Sequence, residues 1–335
     1  MIDEATVWAH LDALAKPRRS LGRLEELAVR LAVIRQRLDP ATRPRRIVLF
    51  AADHGVVAHG VSAWPSEITG AMVATIIAGR ATSNALAAAQ GCDLRLVDVG
   101  VATPPPLPWP GFARHAPVAP GTADLAETDA MTAAQFDAAW AIGADEARRA
   151  YDEGYQVLIA GEMGIGNTTP AACLTALLTG APAAQTVGRG AGADDAVLAT
   201  KQRVIADAVA RALPRLHAEP RTAIAASAGF ELAAMAGFFA EGAKRGATLL
   251  LDGYVATAAA LIAERLAPGT ARAMIAAHLS AEPGHAAALA ALNLAPLLGW
   301  QMRLGEGTGA LTALPLLDSA AALLTGVARL DELGG

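Results

Sequence analysis

Three glycine-rich segments of this 335-residue chain combine residue types that bind an anion with residue types that move a proton. The first, Gly161-Glu162-Met163-Gly164-Ile165-Gly166-Asn167-Thr168-Thr169, follows an apolar run and precedes a helical stretch. Backbone N–H groups at such a turn, with the side chains of Asn167, Thr168 and Thr169, can cradle a phosphate at a helix N-terminus. The same residues would equally serve as a glycine turn with a threonine cap. No lysine follows the last glycine, so this is not a Walker loop, and the third glycine of the dinucleotide fingerprint is missing. The second segment, Gly188-Arg189-Gly190-Ala191-Gly192-Ala193-Asp194-Asp195, sets one arginine among glycines ahead of another helix. Lys201 falls about two turns further on. Arg189 and Lys201 can complete an anion site, while Asp194 and Asp195 read as N-cap and first-turn acids rather than metal ligands. In the third, Gly305-Glu306-Gly307-Thr308-Gly309, a carboxylate stands between residues that let backbone and ligand approach closely. Shielded there, Glu306 can act as a general base with a raised pKa, or be a solvated loop acid. Glu162 is either a second such group or a structural acid satisfied by neighbouring N–H groups.

Other chemistries find less support. Asp53-His54-Gly55, His59, His278 and His285 are the histidine-bearing candidates for a metal, but no HExxH or paired Cys/His spacing accompanies them. No Gly-x-Ser-x-Gly elbow follows any apolar run, which disfavours a serine hydrolase. Phosphoribosyltransferases that use a pyrophosphorylated sugar carry paired acids after an apolar strand, whereas here that position reads Gly161-Glu162-Met163-Gly164. The expectation is a site with neither metal nor cofactor.

Elements able to position these groups follow from the apolar patterning. Runs at 46–52, 94–99, 156–160, 222–226, 247–252 and 272–277 read as buried strands. Helical spacing marks 66–89, 133–153, 194–212, 231–244 and 254–266. The alternation implies an α/β fold: a doubly wound, mainly parallel six-stranded sheet whose ligand sits beyond the carboxyl ends of its strands. The unusual polar residues gather at those ends. Helices at about 2–15, 21–37 and after 312 flank the sheet region. They suggest a small helical domain built from 1–37 plus 301–335 beside a large α/β domain at 38–300. The segment 103–120 holds seven prolines and reads as a surface arm without regular structure.

Hydrophobic residues make up 53% of the chain and charged residues 18%, so disorder and coiled coil are excluded. Net charge is −5 and the longest basic cluster is Arg43, Arg45 and Arg46, which disfavours nucleic acid as a partner and favours small molecules. Apolar runs are broken by Glu231, Asp252, Glu264, Asn293 and Asp318, so no membrane span is expected. Two distant cysteines, Cys92 and Cys173, and an acidic N-terminus without a signal-peptide pattern point to the cytoplasm.

In this order the segments resemble the nicotinate-nucleotide:dimethylbenzimidazole phosphoribosyltransferases, over nearly the whole chain. The matching blocks include Ser20-Leu21-Gly22-Arg23-Leu24-Glu25, Ala51-Ala52-Asp53-His54-Gly55-Val56, Gly60-Val61-Ser62-Ala63-Trp64-Pro65, the three glycine-rich loops, Leu251-Asp252-Gly253 and 278–285. The resemblance implies transfer of phosphoribose from nicotinate mononucleotide to dimethylbenzimidazole, giving alpha-ribazole 5′-phosphate and nicotinate in cobalamin assembly. Glu306 would then be the general base and Glu162 a secondary carboxylate. Gly164, Gly166, Asn167, Thr168, Gly188, Arg189, Gly190 and Lys201 would hold the nucleotide, with Asp252 and Ser280 beside it. Ser62, Trp64, Ala71, Met72 and Leu304 would line the base pocket, and the protein would be a homodimer. Ala71 stands where the family usually has glutamine, and Trp64 where it has tyrosine, so the accepted base could instead be benzimidazole, a purine or a phenol. Two other classes compete: a non-catalytic carrier of a nucleotide or base, and a nucleotide-dependent oxidoreductase.

Overall fold

The computed structural model describes residues 1–106, 108–190, 192 and 194–333. Alternating side chains in an apolar strand can fill two cores at once, and the first strand, β1 (Arg45–Ala52), does so. Ile47, Leu49 and Ala51 enter one core, and Val48, Phe50 and Ala52 the other. It pairs in parallel with β2 (Asp93–Gly100) and β4 (Val157–Met163). β3 (Ala113–His115), β5 (Thr248–Leu251) and β6 (Met274–Ala276) complete a parallel sheet of order β3-β2-β1-β4-β5-β6.

Two strand expectations are corrected. Residues 222–226 are not a strand: they fall in and just beyond a short helix (Pro220–Ala225). Pro220 presets the first turn, and the Ala-rich run that follows favours helix over sheet. The sixth strand is instead β3, inside the proline-rich segment expected to be irregular. It pairs only with β2, at the sheet edge, where flanking prolines remove no ladder bond that a neighbour needs. Leu107 of that segment lies outside the described residues, as do Ala191 and Ala193 of the second glycine-rich loop.

The helices are α1 (Glu4–Asp12), α2 (Arg23–Arg35), α3 (Glu67–Ile77), α4 (Thr82–Ala89), α5 (Ala133–Asp152), α6 (Thr168–Thr179), α7 (Ala183–Thr186), α8 (Asp195–Ala212), α9 (Pro220–Ala225), α10 (Phe230–Lys244), α11 (Tyr254–Leu266), α12 (Gly284–Ala291) and α13 (Thr308–Gly326). The stretch 66–89 read as one helix is two, interrupted where Gly79 takes a left-handed φ of +72°. Residues of α5, α6, α8, α10 and α11 share the core over one sheet face. Those of α1, α2, α3, α4 and α13 share the core over the other, so helices from both termini pack together on the sheet.

α13 modifies the membrane expectation, because by length and composition alone it could cross a bilayer. It packs as a core helix. Leu311, Leu314 and Leu317 are fully buried, and Asp318 accepts from Thr42 Oγ1 at 2.6 Å and pairs with Arg43 and Arg45 at 2.9 and 3.0 Å.

α10, which packs beneath the sheet, crosses α5 at two glycines. A Cβ on Gly237 would lie 2.1 Å from the Trp140 carbonyl oxygen, and one on Gly143 1.7 Å from that of Ala234. Gly237→Ala gains about 1 kcal/mol in helix propensity, but backbone atoms at that separation cannot yield cheaply. Overpacking by about 1–3 kcal/mol or more wins. Urea unfolding is therefore expected to show a lower midpoint for Gly237→Ala; an unchanged midpoint would mean that the two helices separate freely.

Candidate active site

The strand order reverses between β1 and β4, and ligands of open parallel sheets bind outside the carboxyl ends of the strands at such a reversal. A cleft lies there. Its walls include Ser62, Glu162, Gly164, Gly166, Asn167, Thr168, Arg189, Gly190, Lys201, Asp252, Ser280, Leu304 and Glu306. Most of the residues singled out in the sequence thus converge, although they come from widely separated segments.

At one end of the cleft the chain makes a tight turn with three consecutive left-handed residues: Gly305, Glu306 and Gly307, at φ of +86°, +56° and +72°. For a non-glycine residue this conformation costs roughly 1–2 kcal/mol, so something must hold Glu306 in it. Asp252, just past β5, does this. Its Oδ2 accepts from Gly307 N at 3.1 Å, and its Oδ1 accepts from Gly309 N at 2.8 Å and Ala310 N at 3.1 Å. Burial pushes this carboxyl up, but His278 and the backbone N–H groups outweigh it and hold the pKa below the usual range. The turn also lies directly on β4: a Cβ at Gly161 would stand 2.7 Å from Gly307 N. Asp252 lines the cleft, but its oxygens are engaged in building this wall.

Two further carboxyls share that end. Glu162, at the end of β4, is buried and accepts from Asn167 Nδ2. Burial, followed by the charges of Asp252 and Glu231, pushes its pKa up to about 8, so it is mostly protonated at neutral pH. Glu306 is 4% exposed, and burial raises its pKa as well. A hydrogen bond from buried Ser83 Oγ to Glu306 Oε2, 3.1 Å, opposes that rise. A carboxylate raised toward neutrality in a cleft has the properties of a general base.

The same cleft also holds a buried cation. Lys201, on α8, is 1% exposed and donates through Nζ to Thr168 Oγ1 at 2.9 Å and to the Gly188 carbonyl at 3.1 Å. Burial lowers its pKa, with Glu282 acting in the other direction. Glu282 Oε1 accepts from Gly190 N at 2.9 Å, which ties the second glycine-rich loop to the loop after β6. Asn167 precedes α6 yet sends its side chain to Glu162 instead of capping the helix. Arg189 forms an ion pair with Asp195, and Asp194 Oδ1 accepts from Val197 N at 2.9 Å, which makes Asp194 the N-cap of α8.

Four expected residues stand apart. Trp64 is half exposed, Ala71 is exposed, and Met72 packs against the core beneath α3; none of the three lines the cleft. Gly188 lines an adjoining hollow with Arg189 and Glu282. Conversely, Tyr254, Glu282, Arg303 and Thr308 line the cleft although the sequence motifs assign them no role, as does His278, which the sequence offers only as a metal candidate. Arg303 and Glu282 are detectable as polar neighbours of those motifs. Ser83 is not, because its partner is 223 residues away.

The histidines have local partners. His54 pairs with Glu231 at 2.9 Å, and His59 with Asp124 at 2.6 Å. His285 accepts from Ser280 N at 2.8 Å and lies 2.9 Å from Thr257 Oγ1; burial lowers its pKa to about 3, so it is neutral. Among the described residues, no group of three or more His, Cys, Asp or Glu side chains is arranged to hold a metal ion.

The raised pKa of Glu162 has a consequence for stability. An acid that holds its proton more tightly when folded contributes stability below its unfolded pKa, and this is lost as pH rises through the folded value. Relative to Glu162→Gln, the protein should lose stability from about pH 4.5 to about pH 8 and then level off. Urea unfolding of both proteins across that range tests this; a constant difference would show that Glu162 ionises normally.

A family model described as phosphoribosyltransferase matches residues 3–334. The nicotinate-nucleotide–dimethylbenzimidazole phosphoribosyltransferase of Thermus thermophilus is 48% identical over 326 residues, covering 97% of this chain and 95% of the relative. That of Mycobacterium tuberculosis is 47% identical over 332 residues, covering 99% and 91%. The crystal structure of CobT from Thermus thermophilus superposes with a TM-score of 0.93 at 46% identity, covering 99% of this chain and 98% of that one. Sequence, fold and cleft agree: the chain belongs to the phosphoribosyltransferase family whose curated members include these two enzymes.

Proposed function

We propose that the cleft transfers the phosphoribosyl group of nicotinate mononucleotide to dimethylbenzimidazole, releasing nicotinate and forming alpha-ribazole 5′-phosphate with inversion at C1′, as a step in cobalamin assembly. The observation that carries the assignment is the placement of Glu306: a buried carboxylate of raised pKa in a cleft that Lys201 and the start of α6 also line. The chemistry needs little else. One azole nitrogen attacks C1′ while the N–H on the other gives its proton to Glu306. The C1′–N bond to the pyridinium breaks, and its electron pair leaves on neutral nicotinate nitrogen, so no acid is required at the leaving group. The protein's main task is to orient two rings and hold the phosphate.

In this reading Lys201, Thr168, Gly166 and Gly164 meet the phosphate, with Gly190, Gly188 and Arg189 closing over it. Protonated Glu162 and Asn167 face the ribose, with Ser280 beside them. Ser62 and Leu304 flank the aromatic base; Trp64, Ala71 and Met72 would contribute only through movement of the 62–72 segment or through a second subunit. The protein acts on small molecules as a homodimer in the cytoplasm, where buried free Cys92 and Cys173 are at home. Residues 38–300 act as the α/β body, and 1–37 with 301–335 as a small helical domain.

Incubation with nicotinate mononucleotide and dimethylbenzimidazole, followed by chromatography with mass detection, should show nicotinate and alpha-ribazole phosphate in equal amounts. Nicotinate release only with another base would move the acceptor assignment to that base. Glu306→Gln should lower turnover by about two to four orders of magnitude, the range for losing a positioned base. Lys201→Met should raise KM for the nucleotide roughly ten- to a hundredfold through loss of a charge-assisted hydrogen bond. An unaltered KM would remove Lys201 from the phosphate site.

A further inference from the structure

Asp252 fixes the backbone of the Glu306 turn, but it leaves the glutamate side chain free to rotate about its own bonds. A base that must take a proton from one nitrogen as another attacks has to be aimed as well as placed. That aim comes from Ser83, whose hydroxyl donates to Glu306 Oε2 at 3.1 Å. Ser83 is fully buried in the first turn of α4, an element remote in sequence from Asp252. That helix begins at Ala81, which has no side-chain acceptor to offer. Asn84 Oδ1 takes the Ala81 N–H at 3.0 Å, and the Glu306 carboxylate stands where a capping side chain would. A helix N-terminus favours the charged form of a carboxylate at that position.

We propose that Ser83 is a positioning residue for the transfer reaction, holding one oxygen of Glu306 so that the other faces the attacking base. The proposal rests on Glu306 being the general base. With Oε2 engaged by the Ser83 hydroxyl, the carboxylate is held in one orientation to receive the azole proton as the bond to C1′ forms and the bond to nicotinate breaks. Both the side chain and the backbone of Ser83 also counter the effect of burial on Glu306. The other titratable or charged groups coupled to Glu306 are Glu162 at the end of β4 and Asp252 after β5, and His278 after β6 and Arg303 on its own loop line the same cleft. Burial and the charge of Asp252 raise its pKa, and the Ser83 contacts act in the opposite direction.

The test measures kcat, both KM values and the pH profile of kcat for Ser83→Ala and Ser83→Thr, with Glu306→Gln as control. Ser83→Ala should lower kcat about ten- to a hundredfold while KM for nicotinate mononucleotide stays within about twofold. Loss of a hydrogen bond to the anion raises the pKa of the base, so the acidic limb of the profile should move to higher pH. Ser83→Thr, which keeps the hydroxyl, should restore the limb. If Ser83→Ala does not fold, Ser83→Cys carries the same measurement with a weaker donor of similar size. An acidic limb that stays put in Ser83→Ala or Ser83→Cys, while Glu306→Gln is inactive, overturns the role of Ser83 alone. Full activity of Glu306→Gln overturns the base assignment beneath it.

Discussion

The reactive end of the cleft depends on a single carboxylate accepting three backbone N–H groups. Asp252 leaves the sheet after β5 and binds the amides of Gly307, Gly309 and Ala310, at the N-terminus of α13. It therefore does two jobs. It satisfies donors that the helix cannot satisfy itself, and it holds a turn of three left-handed residues that would otherwise relax. Glu306 repeats the device one step outward, with its own carboxylate at the start of α4. Two acids from distant parts of the chain thus cap helices that lack adequate caps of their own, and both line the cleft.

This arrangement also sorts the acids by charge. Three carboxyls in one low-dielectric corner cannot all ionise at neutral pH. Asp252 keeps its charge because N–H groups and His278 surround it. Glu162, with one amide partner and acidic neighbours, is pushed up to about 8. Glu306 is raised by burial and restrained by Ser83. Lys201, itself buried, lines the same cleft. A buried cation and a carboxylate of raised pKa in one cleft are the groups a phosphorylated donor and an N–H acid require.

The frame that makes this possible is a sheet with both faces covered. β1 and β4 sit at its centre, where the strand order reverses, so their carboxyl ends open into one crevice while helices occupy either side. Loops remote in sequence meet there because parallel strands all deliver their ends to the same edge.

Much of this is legible in the residues themselves. Apolar runs bounded by glycine or polar residues mark β1, β2, β4, β5 and β6, and helical pitch puts Lys201 within reach of the glycine-rich loops, because these signals are local and periodic. The run at 222–226 misleads because alanine is apolar in either conformation, and β3 is hidden because an edge strand tolerates the prolines that would exclude a central one. Local pattern is enough to set the class of sheet and the edge at which its chemistry gathers, and it offers Glu306 as one of two possible proton-moving acids. It does not reveal that Asp252 builds the wall of the cleft, that Ser83 holds Glu306, or that Trp64, Ala71 and Met72 stand outside. Those outcomes come from contacts between residues far apart in the chain, and from burial shared among several charges, neither of which leaves a mark in local spacing.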